Sequence, residues 1–471
     1  MSDENYDIGV IGLGVMGRNF AYNIADHDFS VAGYDREAEK VESLEKGTSG
    51  KKIKGYNSLE DFLKFLRKPR AVLLLVPAGD PVDAVIDQLS TVMNKGDLII
   101  DGGNSHFTDT NRHFEKLASK NIQFMGVGVS GGAYGARYGP SIMPGGPREA
   151  YQRVRDIFEA VAAHAGGEPC VTYLGPKSAG HYVKMVHNGI EYAIMQLISE
   201  TYDIFRRIMR FDNDRMADIY DRWNRSLLES YLIEITARIF RQPDDKTDKR
   251  LIDMILDAAE QKGTGKWMSQ DAMELRMPDP IIDAAVGARD LSGIHDERLR
   301  ASEVLEGPET ASSKIEESFI EEIEDSLIFS TAVAYAQGFS VLRAASEKYG
   351  YGLKPAEIAA IWRGGCIIRA SILENIKEAF EKRPDITNLM TDGYFADLLN
   401  TRAKSLRKVL NTAVDYGIPV PAFAAALSYF DGYRSSGLPA NLIQAQRDYF
   451  GSHTYERIDT AGVFHTQWKK D

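Results

Sequence analysis

Apolar residues in the first third of the chain fall in short, nearly unbroken runs separated by amphipathic stretches. Candidate strands are Tyr6–Ile11, Ser30–Tyr34, Ala71–Val76, Leu98–Asp101, Phe124–Val129 and Cys170–Leu174. Runs without polar interruption suit strands buried on both faces, and their alternation with amphipathic segments predicts a parallel sheet flanked by helices. From Gly175-Pro176-Lys177-Ser178-Ala179-Gly180 onward the period changes to that of long helices, as in Val183–Arg210, Lys314–Lys348 and Asn400–Tyr416. The pattern divides the chain into residues 1–178, an all-helical part at 179–440, and a tail at 441–471 that is aromatic, Gly-containing and less clearly helical. Such a tail needs a surface to lie on.

Within the helical part, Ile219-Tyr220-Asp221-Arg222-Trp223-Asn224 and Ile358-Ala359-Ala360-Ile361-Trp362-Arg363 read alike. Each follows a long helix carrying Ala-x-x-Gln, at Ala193 to Gln196 and at Ala334 to Gln337, and the two tryptophans are 139 residues apart. The spacing suggests a duplicated helical unit.

Of the 471 residues, 56 are Lys or Arg and 68 are Asp or Glu, a net charge of −12 that argues against a nucleic-acid footprint. An anionic ligand must therefore be drawn by a local cluster of basic side chains. Two distant cysteines, Cys170 and Cys366, give no zinc or disulfide framework and fit a reducing compartment. The polar, acidic Met1-Ser2-Asp3-Glu4 is unlike a secretory signal, and the most apolar stretch, 71–78, is far short of a membrane span. A cytoplasmic chain without membrane, nucleic-acid or metal partners is expected.

Gly12-Leu13-Gly14-Val15-Met16-Gly17 closes the first strand and opens a helix. Glycines here permit a tight turn, close approach of backbone to a pyrophosphate and close helix packing, while the helix start offers unpaired N–H groups. The second strand ends at Asp35, 18 residues beyond the last glycine, which completes the dinucleotide-binding fingerprint. A Rossmann-like domain is expected. A carboxylate at Asp35 suits the ribose hydroxyls of NAD and repels the extra phosphate of NADP, whereas Arg36 could pair with that phosphate or stack on adenine. By contrast, Gly263-Thr264-Gly265-Lys266-Trp267 lacks the glycine spacing of a P-loop and the Ser or Thr after Lys, so nucleotide hydrolysis is not supported.

Lys184, His187, Asn188 and Glu191 fall at i, i+3, i+4 and i+7, one polar stripe on an otherwise apolar helix. Either the stripe lines a buried cavity or it is a solvated face with an intrahelical Lys–Glu pair. Gly189 in mid-helix favours the first, because its cost of about 1 kcal/mol is repaid if another segment approaches closely there. Asp101-Gly102-Gly103-Asn104-Ser105 and Val129-Ser130-Gly131-Gly132 follow the fourth and fifth expected strands, at the carboxyl ends where open α/β sheets bind ligands.

Taken together these segments resemble the 6-phosphogluconate dehydrogenase family. The matching pieces are the glycine turn from Gly12 to Asn19, Asp101 to Ser105, Gly135 to Ser141, Lys184 to Tyr192, Gln261 to Trp267, and Arg447 to Glu456, so the resemblance spans the chain. It implies an oxidative decarboxylase of a phosphorylated sugar acid, acting as a homodimer whose tail threads into the partner subunit. It assigns Lys184 as acid–base and Glu191 as a second acid. It carries substrate contacts over to Asn104, Ser130, Gly131, Gly132, His187, Asn188, Tyr192, Lys262, Arg289, Arg447 and His453, the last two reaching the neighbouring subunit. Coenzyme contacts carry over to Gly12, Gly14, Val15, Met16, Gly17, Asp35, Arg36, Val76, Ala78 and Asn104.

The chain departs from the family pattern at Asp35-Arg36-Glu37, usually Asn-Arg-Ser/Thr in NADP-using members, and at Val76-Pro77-Ala78-Gly79, usually Val-Lys-Ala-Gly. Both departures favour NAD. Ala133-Tyr134 replaces a usual pair of glutamates and Ala193-Ile194 replaces Gly-Asp, which alters details of the cleft. Competing readings are a non-decarboxylating β-hydroxyacid dehydrogenase, which would not need Glu191 or the Arg447–His453 tail, and a catalytically silent nicotinamide-binding sensor.

Overall fold

The computed structural model describes residues 5–47, 50–261, 263–308 and 315–468. Lys262, the N-terminal Met1-Ser2-Asp3-Glu4 and Lys314, the expected start of a long helix, lie outside the described residues. The first part runs β1 (Ile8–Ile11), α1 (Val15–Asp26), β2 (Val31–Tyr34), α2 (Ala38–Glu45), β3 (Ile53–Tyr56), α3 (Leu59–Lys64), β4 (Ala71–Leu74), α4 (Asp80–Val92), β5 (Leu98–Asp101), α5 (Phe107–Ala118), β6 (Gln123–Ser130), α6 (Gly132–Tyr138), β7 (Ser141–Gly145) and α7 (Arg148–Val161). Its strands form one sheet in the order β3-β2-β1-β4-β5-β6-β7, parallel except for β7, which runs antiparallel to β6. The strand order reverses beside β1, so the turn after β1 opens at the switch point where such sheets hold ligands. Alternate residues of each strand feed two cores: Val10, Leu73 and Ile100 face α1 and α7, while Ile11, Leu74 and Ile99 face α3 and α4.

Two strands escape the hydrophobic pattern, and one expected strand is absent. β3 is a half-exposed edge that carries Lys54 and Gly55, and β7 contains Pro144, which argues against a strand unless it lies at an edge. The segment 170–174 runs beside β7, but its bonds are intermittent, from Ile142 N–H to the Cys170 carbonyl (3.0 Å) and from Leu174 N–H to that of Pro144 (2.9 Å). It does not extend the sheet.

After the small hairpin β8 (His164–Ala165) and β9 (Glu168–Pro169), the chain is helical: α8 (Ala179–Arg207), α9 (Asn213–Trp223), α10 (Tyr231–Arg241), α11 (Thr264–Glu274), α12 (Pro280–Gly293), α13 (His295–Ser302), α14 (Phe319–Tyr349), α15 (Pro355–Trp362), α16 (Ile372–Lys382), α17 (Gly393–Asp415) and α18 (Pro421–Tyr433). The succession α8-α9-α10 is repeated by α14-α15-α16, each a long helix followed by a short one that ends in a fully buried tryptophan, Trp223 or Trp362. The repeats interlock. Glu200 of α8 accepts the N–H groups of Ala422 (2.8 Å) and Phe423 (3.0 Å) at the start of α18, and Gln337 of α14 accepts that of Ile281 (3.2 Å) at the start of α12. Both receiving helices begin with proline, whose missing N–H removes one of the donors a cap must satisfy.

The tail is more helical than the sequence suggested. α19 (Ala440–Gly451) opens it, followed by the short antiparallel pair β10 (Tyr455–Glu456) and β11 (Val463–Phe464). Asp448, the one buried residue of α19, gathers the side chains of His465 (2.8 Å) and Trp468 (2.9 Å) and the N–H groups of Thr454 and Thr466. Leu442, Ile443, Tyr449 and Phe450 are left exposed. Among the described residues no helix is long and apolar enough to cross a membrane.

Candidate active site

The glycine turn is built for close backbone contact. Gly12 has φ +93°, and a Cβ there would stand 2.7 Å from the Leu75 carbonyl oxygen; one on Gly17 would stand 1.8 Å from that of Gly12. Gly14 instead faces open space and begins α1 with no side-chain cap and no acidic residue in the first turn. Val15 is exposed and Met16 packs partly against the sheet core. Free N–H groups at an uncapped helix start, with room above them, fit a pyrophosphate.

Asp35 lies beside this turn, its Oδ2 accepting the Leu13 N–H (2.8 Å) and its Oδ1 that of Glu37 (3.1 Å). Arg36 is exposed. Lys40 lies 2.7 Å from Glu37 and 4.0 Å from Asp35, so its charge is already shared by two carboxylates. Val76 and Ala78 are half-buried, and Val76 lies between Gly12 and Gly103, linking the turns after β1 and β5.

The turns after β5 and β6 are joined by Asn104. At φ +58° its side chain donates to the Val129 carbonyl (3.1 Å) and accepts the Val129 N–H (2.9 Å). The buried Asp101 holds the same loop through Gly103 N–H (2.8 Å) and the Ser105 hydroxyl (2.6 Å). Gly131 and Gly132, at φ +113° and +59°, then turn the chain into α6.

Helix α8 crosses this edge of the sheet on glycine. A Cβ on Gly128 would lie 2.5 Å from the Cβ of Lys184, one on Gly145 2.3 Å from the Gly180 nitrogen, and one on Gly180 2.5 Å from the Gly126 carbonyl oxygen. Backbone thus meets backbone, and the stripe is buried at one end and partly open at the other: Lys184 is 5% exposed and His187 fully buried, while Asn188 and Glu191 are half-buried. The solvated-face reading is therefore set aside. Burial lowers the Lys184 amine to about 8 from its ordinary 10.5, against the opposing pull of Glu191. Burial and the nearby amine push His187 well below its usual range, so its imidazole is neutral. Burial also raises Glu191, opposed by Lys184 and Arg289.

These groups converge on one ring. His187 Nδ1 is 3.2 Å from the Lys184 amine, 3.0 Å from Asn188 Oδ1 and 3.9 Å from Glu191 Oε2, and its Nε2 is 3.2 Å from the Ser130 hydroxyl. The amine and the carboxyl consequently lie within about 7 Å of each other, through the 3.2 Å and 3.9 Å legs. Trp362 meets the imidazole edge-on, with centroids 5.6 Å apart.

Helix α11 forms the opposite wall. Thr264 accepts a hydrogen bond from the Asn188 amide (3.0 Å), and a Cβ on Gly189 would come within 2.0 Å of the Met268 sulfur, which is the close approach that the mid-helix glycine implied. Tyr192 packs on Gly265, and the Arg289 guanidinium lies 3.5 Å from the centre of its ring. Arg447 and His453 are exposed, with their contacts inside the tail, to Gln444 and Phe450 respectively. Within one chain they do not join the other candidate residues. Sequence reasoning missed Thr264, Trp362 and Gly128; glycines alternating at 126 and 128 within a strand were the available sign of a close neighbour.

Residues 7–175 match the NAD binding domain of 6-phosphogluconate dehydrogenase, and residues 180–468 match the C-terminal domain of the same family. The chain belongs to the 6-phosphogluconate dehydrogenase family. It is 51% identical to the NADP(+)-dependent decarboxylating 6-phosphogluconate dehydrogenase of Bacillus subtilis (strain 168), over 98% of this chain and 99% of the relative. It is 49% identical, with the same coverage, to the NAD(+)-dependent decarboxylating 6-phosphogluconate dehydrogenase of that strain. Overall identity thus does not separate the coenzymes. The solved 6-phosphogluconate dehydrogenase of Plasmodium falciparum, described in its apo form and in complex with its cofactor NADP+ and its substrate 6-phosphogluconate, superposes with a TM-score of 0.95. That match has 44% identity and covers 98% of this chain and all of that one.

Proposed function

We infer that this chain oxidises 6-phosphogluconate and releases its carboxylate as CO2, leaving ribulose 5-phosphate, with a nicotinamide dinucleotide as oxidant. The observation that carries this reading is the convergence of a depressed amine and a raised carboxyl, Lys184 and Glu191, on the neutral ring of His187. Gly12, Gly14, Val15, Met16 and Gly17, with Asp35, Arg36, Val76, Ala78 and Asn104, would hold the dinucleotide. When bound, it supplies a nicotinamide ring that accepts hydride from C3 of the sugar acid.

The neutral amine of Lys184 takes the C3 hydroxyl proton as that hydride leaves. The C3 ketone then stands β to the carboxylate, and the Lys184 ammonium returns its proton to the developing enolate oxygen as the C1–C2 bond breaks and CO2 departs. Glu191 protonates the carbon that lost CO2. Ser130, His187 and Asn188 hold the oxygens, while the backbone of Gly131 and Gly132 and the side chains of Asn104 and Tyr192 border the sugar. Lys262 and Arg289, joined by Arg447 and His453 of a second copy, would concentrate positive charge for the phosphate against a chain average of −12.

On this reading residues 1–178 bind the dinucleotide, 179–440 the sugar acid, and 441–471 reach the neighbouring subunit of a cytoplasmic homodimer. The exposed apolar residues of α19 support that last assignment. NAD is the coenzyme favoured, since Asp35 and Glu37 together oppose a ribose phosphate and Lys40 is engaged by both. The test is 6-phosphogluconate labelled at its carboxylate, assayed with NAD and with NADP. One CO2 per reduced coenzyme is expected. Coenzyme reduction without CO2 would support a simple β-hydroxyacid dehydrogenase, and no reduction with either coenzyme would support a silent binder. Removing residues 444–471 should abolish turnover, and an active truncated monomer would exclude a shared site.

A further inference from the structure

Helices α8 and α11 run antiparallel and touch along one stripe of α11, at Thr264, Met268 and Asp271, which are spaced i, i+4 and i+7. Thr264 meets Asn188 and Met268 meets Gly189, as described above. Asp271, two turns below Thr264, receives the hydroxyl of Tyr182 on Oδ2 (2.5 Å) and that of Tyr349 on Oδ1 (2.8 Å). Tyr182 comes from α8 and Tyr349 from the last turn of α14, so one carboxylate, 7% exposed, ties three helices at a point.

The surroundings make the tie directional. Tyr182, Tyr349 and Tyr351 pack on one another with centroids 5.6–5.8 Å apart, and Phe107, the first residue of α5, meets Tyr182 edge-on at 5.1 Å. Phe107 follows the loop that carries Asn104. On the same side the His106 ring meets Trp267 of α11 edge-on at 4.9 Å. Burying a carboxylate is costly unless it is fully bonded, and apolar side chains would hold a helix more cheaply. What the two charge-assisted bonds add is a fixed rotation and height for α11, because both phenols must be met at once. Burial raises both phenols far above their ordinary values, so each keeps the proton it donates.

We propose that Asp271 is a positioning residue for sugar-acid binding, setting the register of α11 on α8 so that the Thr264 hydroxyl meets Asn188 beside His187. The proposal rests on the reading of this cleft as the 6-phosphogluconate site. It predicts an effect on substrate affinity that travels through Thr264 and spares the dinucleotide.

The test compares wild type, Asp271→Asn, Thr264→Val and the double variant. Asp271→Asn should raise KM for 6-phosphogluconate about tenfold, as loss of a bond to a charged group does, with the coenzyme Kd changed by less than about twofold. In the Thr264→Val background the same change should add less than about twofold, since the contact it positions is already gone. Independent, multiplying effects on KM would overturn the proposal, as would a parallel loss of coenzyme affinity. Amide hydrogen exchange gives a readout that needs no substrate: Asp271→Asn should speed exchange across 267–275, the hydrogen-bonded amides of α11, and leave 183–190 unchanged, and equal rates in variant and wild type would refute the role. If wild type does not turn over 6-phosphogluconate, the reading of the site fails, while exchange still decides whether Asp271 holds α11. Should Asp271→Asn not fold, Tyr349→Phe, which removes one of the two donors, replaces it with the same expected outcomes.

Discussion

The Lys184 amine lies 3.2 Å from Nδ1 of His187, a ring that burial keeps neutral, so the protonation state of the lysine and the tautomer of the histidine are bound together. An ammonium at Lys184 donates to Nδ1, which deprives Asn188 Oδ1, 3.0 Å from the same nitrogen, of a donor and leaves the ring proton on Nε2 facing Ser130. An amine instead accepts from Nδ1–H, and Nε2 then receives the Ser130 hydroxyl. Each proton carried by Lys184 therefore rearranges the hydrogen bonds of His187 with Ser130 and Asn188.

Lys184→Met is expected to abolish oxidation and, at neutral pH, to stabilise the fold. The folded lysine gives up its proton at about 8 and the unfolded one at 10.5. Its burial therefore weighs on the folded state in full below about pH 8, and the burden lifts as pH rises toward 10.5. The difference at pH 7 is on the order of 3 kcal/mol, partly offset by the hydrogen bond lost at His187. Denaturant titrations across this range should show the advantage of the variant shrinking as pH rises. In the wild type, kcat/KM should climb with pH through about 8, and a flat profile there would remove Lys184 as the base.

Gly128→Ala should damage both stability and rate. Its new methyl would stand 2.5 Å from the Lys184 Cβ, a clash that must move α8 off the sheet. Overpacking of this kind costs about 1–3 kcal/mol, and the displaced amine should lower kcat more than it raises the coenzyme Kd. Wild-type kinetics in this variant would mean that helix and sheet are less firmly seated than the glycine contacts imply.

Asp35→Asn should shift selectivity toward NADP. The amide keeps an oxygen for the Leu13 N–H and gives up only the longer bond from the Glu37 N–H, while the charge proposed to oppose a ribose phosphate is gone. A gain of about tenfold in the NADP-to-NAD ratio of kcat/KM is expected from one removed repulsion. An unchanged ratio would show that Asp35 serves only to brace the turn.

Glu200 supplies a separate pH dependence, far from the chemistry. Burial raises its carboxyl to about 7 from 4.5, opposed by the N–H groups of Phe423 and Ala422 and the Gln196 amide. The folded state holds this proton more tightly than the unfolded one, so the group's contribution is fully present below 4.5 and fades as pH rises through 7. Glu200→Gln should flatten that slope, which amounts to on the order of 2–3 kcal/mol between about pH 5 and about pH 8. Parallel stability curves for the two proteins would contradict it.

The parts legible in the sequence are those whose signal is local. The glycine turn, Asp35 and the polar stripe from Lys184 to Glu191 follow from spacing alone, and the repeated helical unit shows in matching segments around Trp223 and Trp362. What spacing cannot supply is the neighbour. Burial of the stripe depends on Gly126, Gly128 and Gly145, which belong to strands more than thirty residues earlier in the chain. Thr264 and Asp271 acquire meaning only from the antiparallel register of α11 on α8. β3 and β7 were hidden because edge strands tolerate the lysine, glycine and proline that a buried strand excludes.

The exchange of caps between the two helical repeats bears on how the chain can be divided. Cut between them, each piece would lose the side chain that closes the start of one of its helices, Glu200 for α18 and Gln337 for α12. Each fragment would carry an open helix start that only the other can close, so the two halves are clasped to one another rather than simply joined end to end.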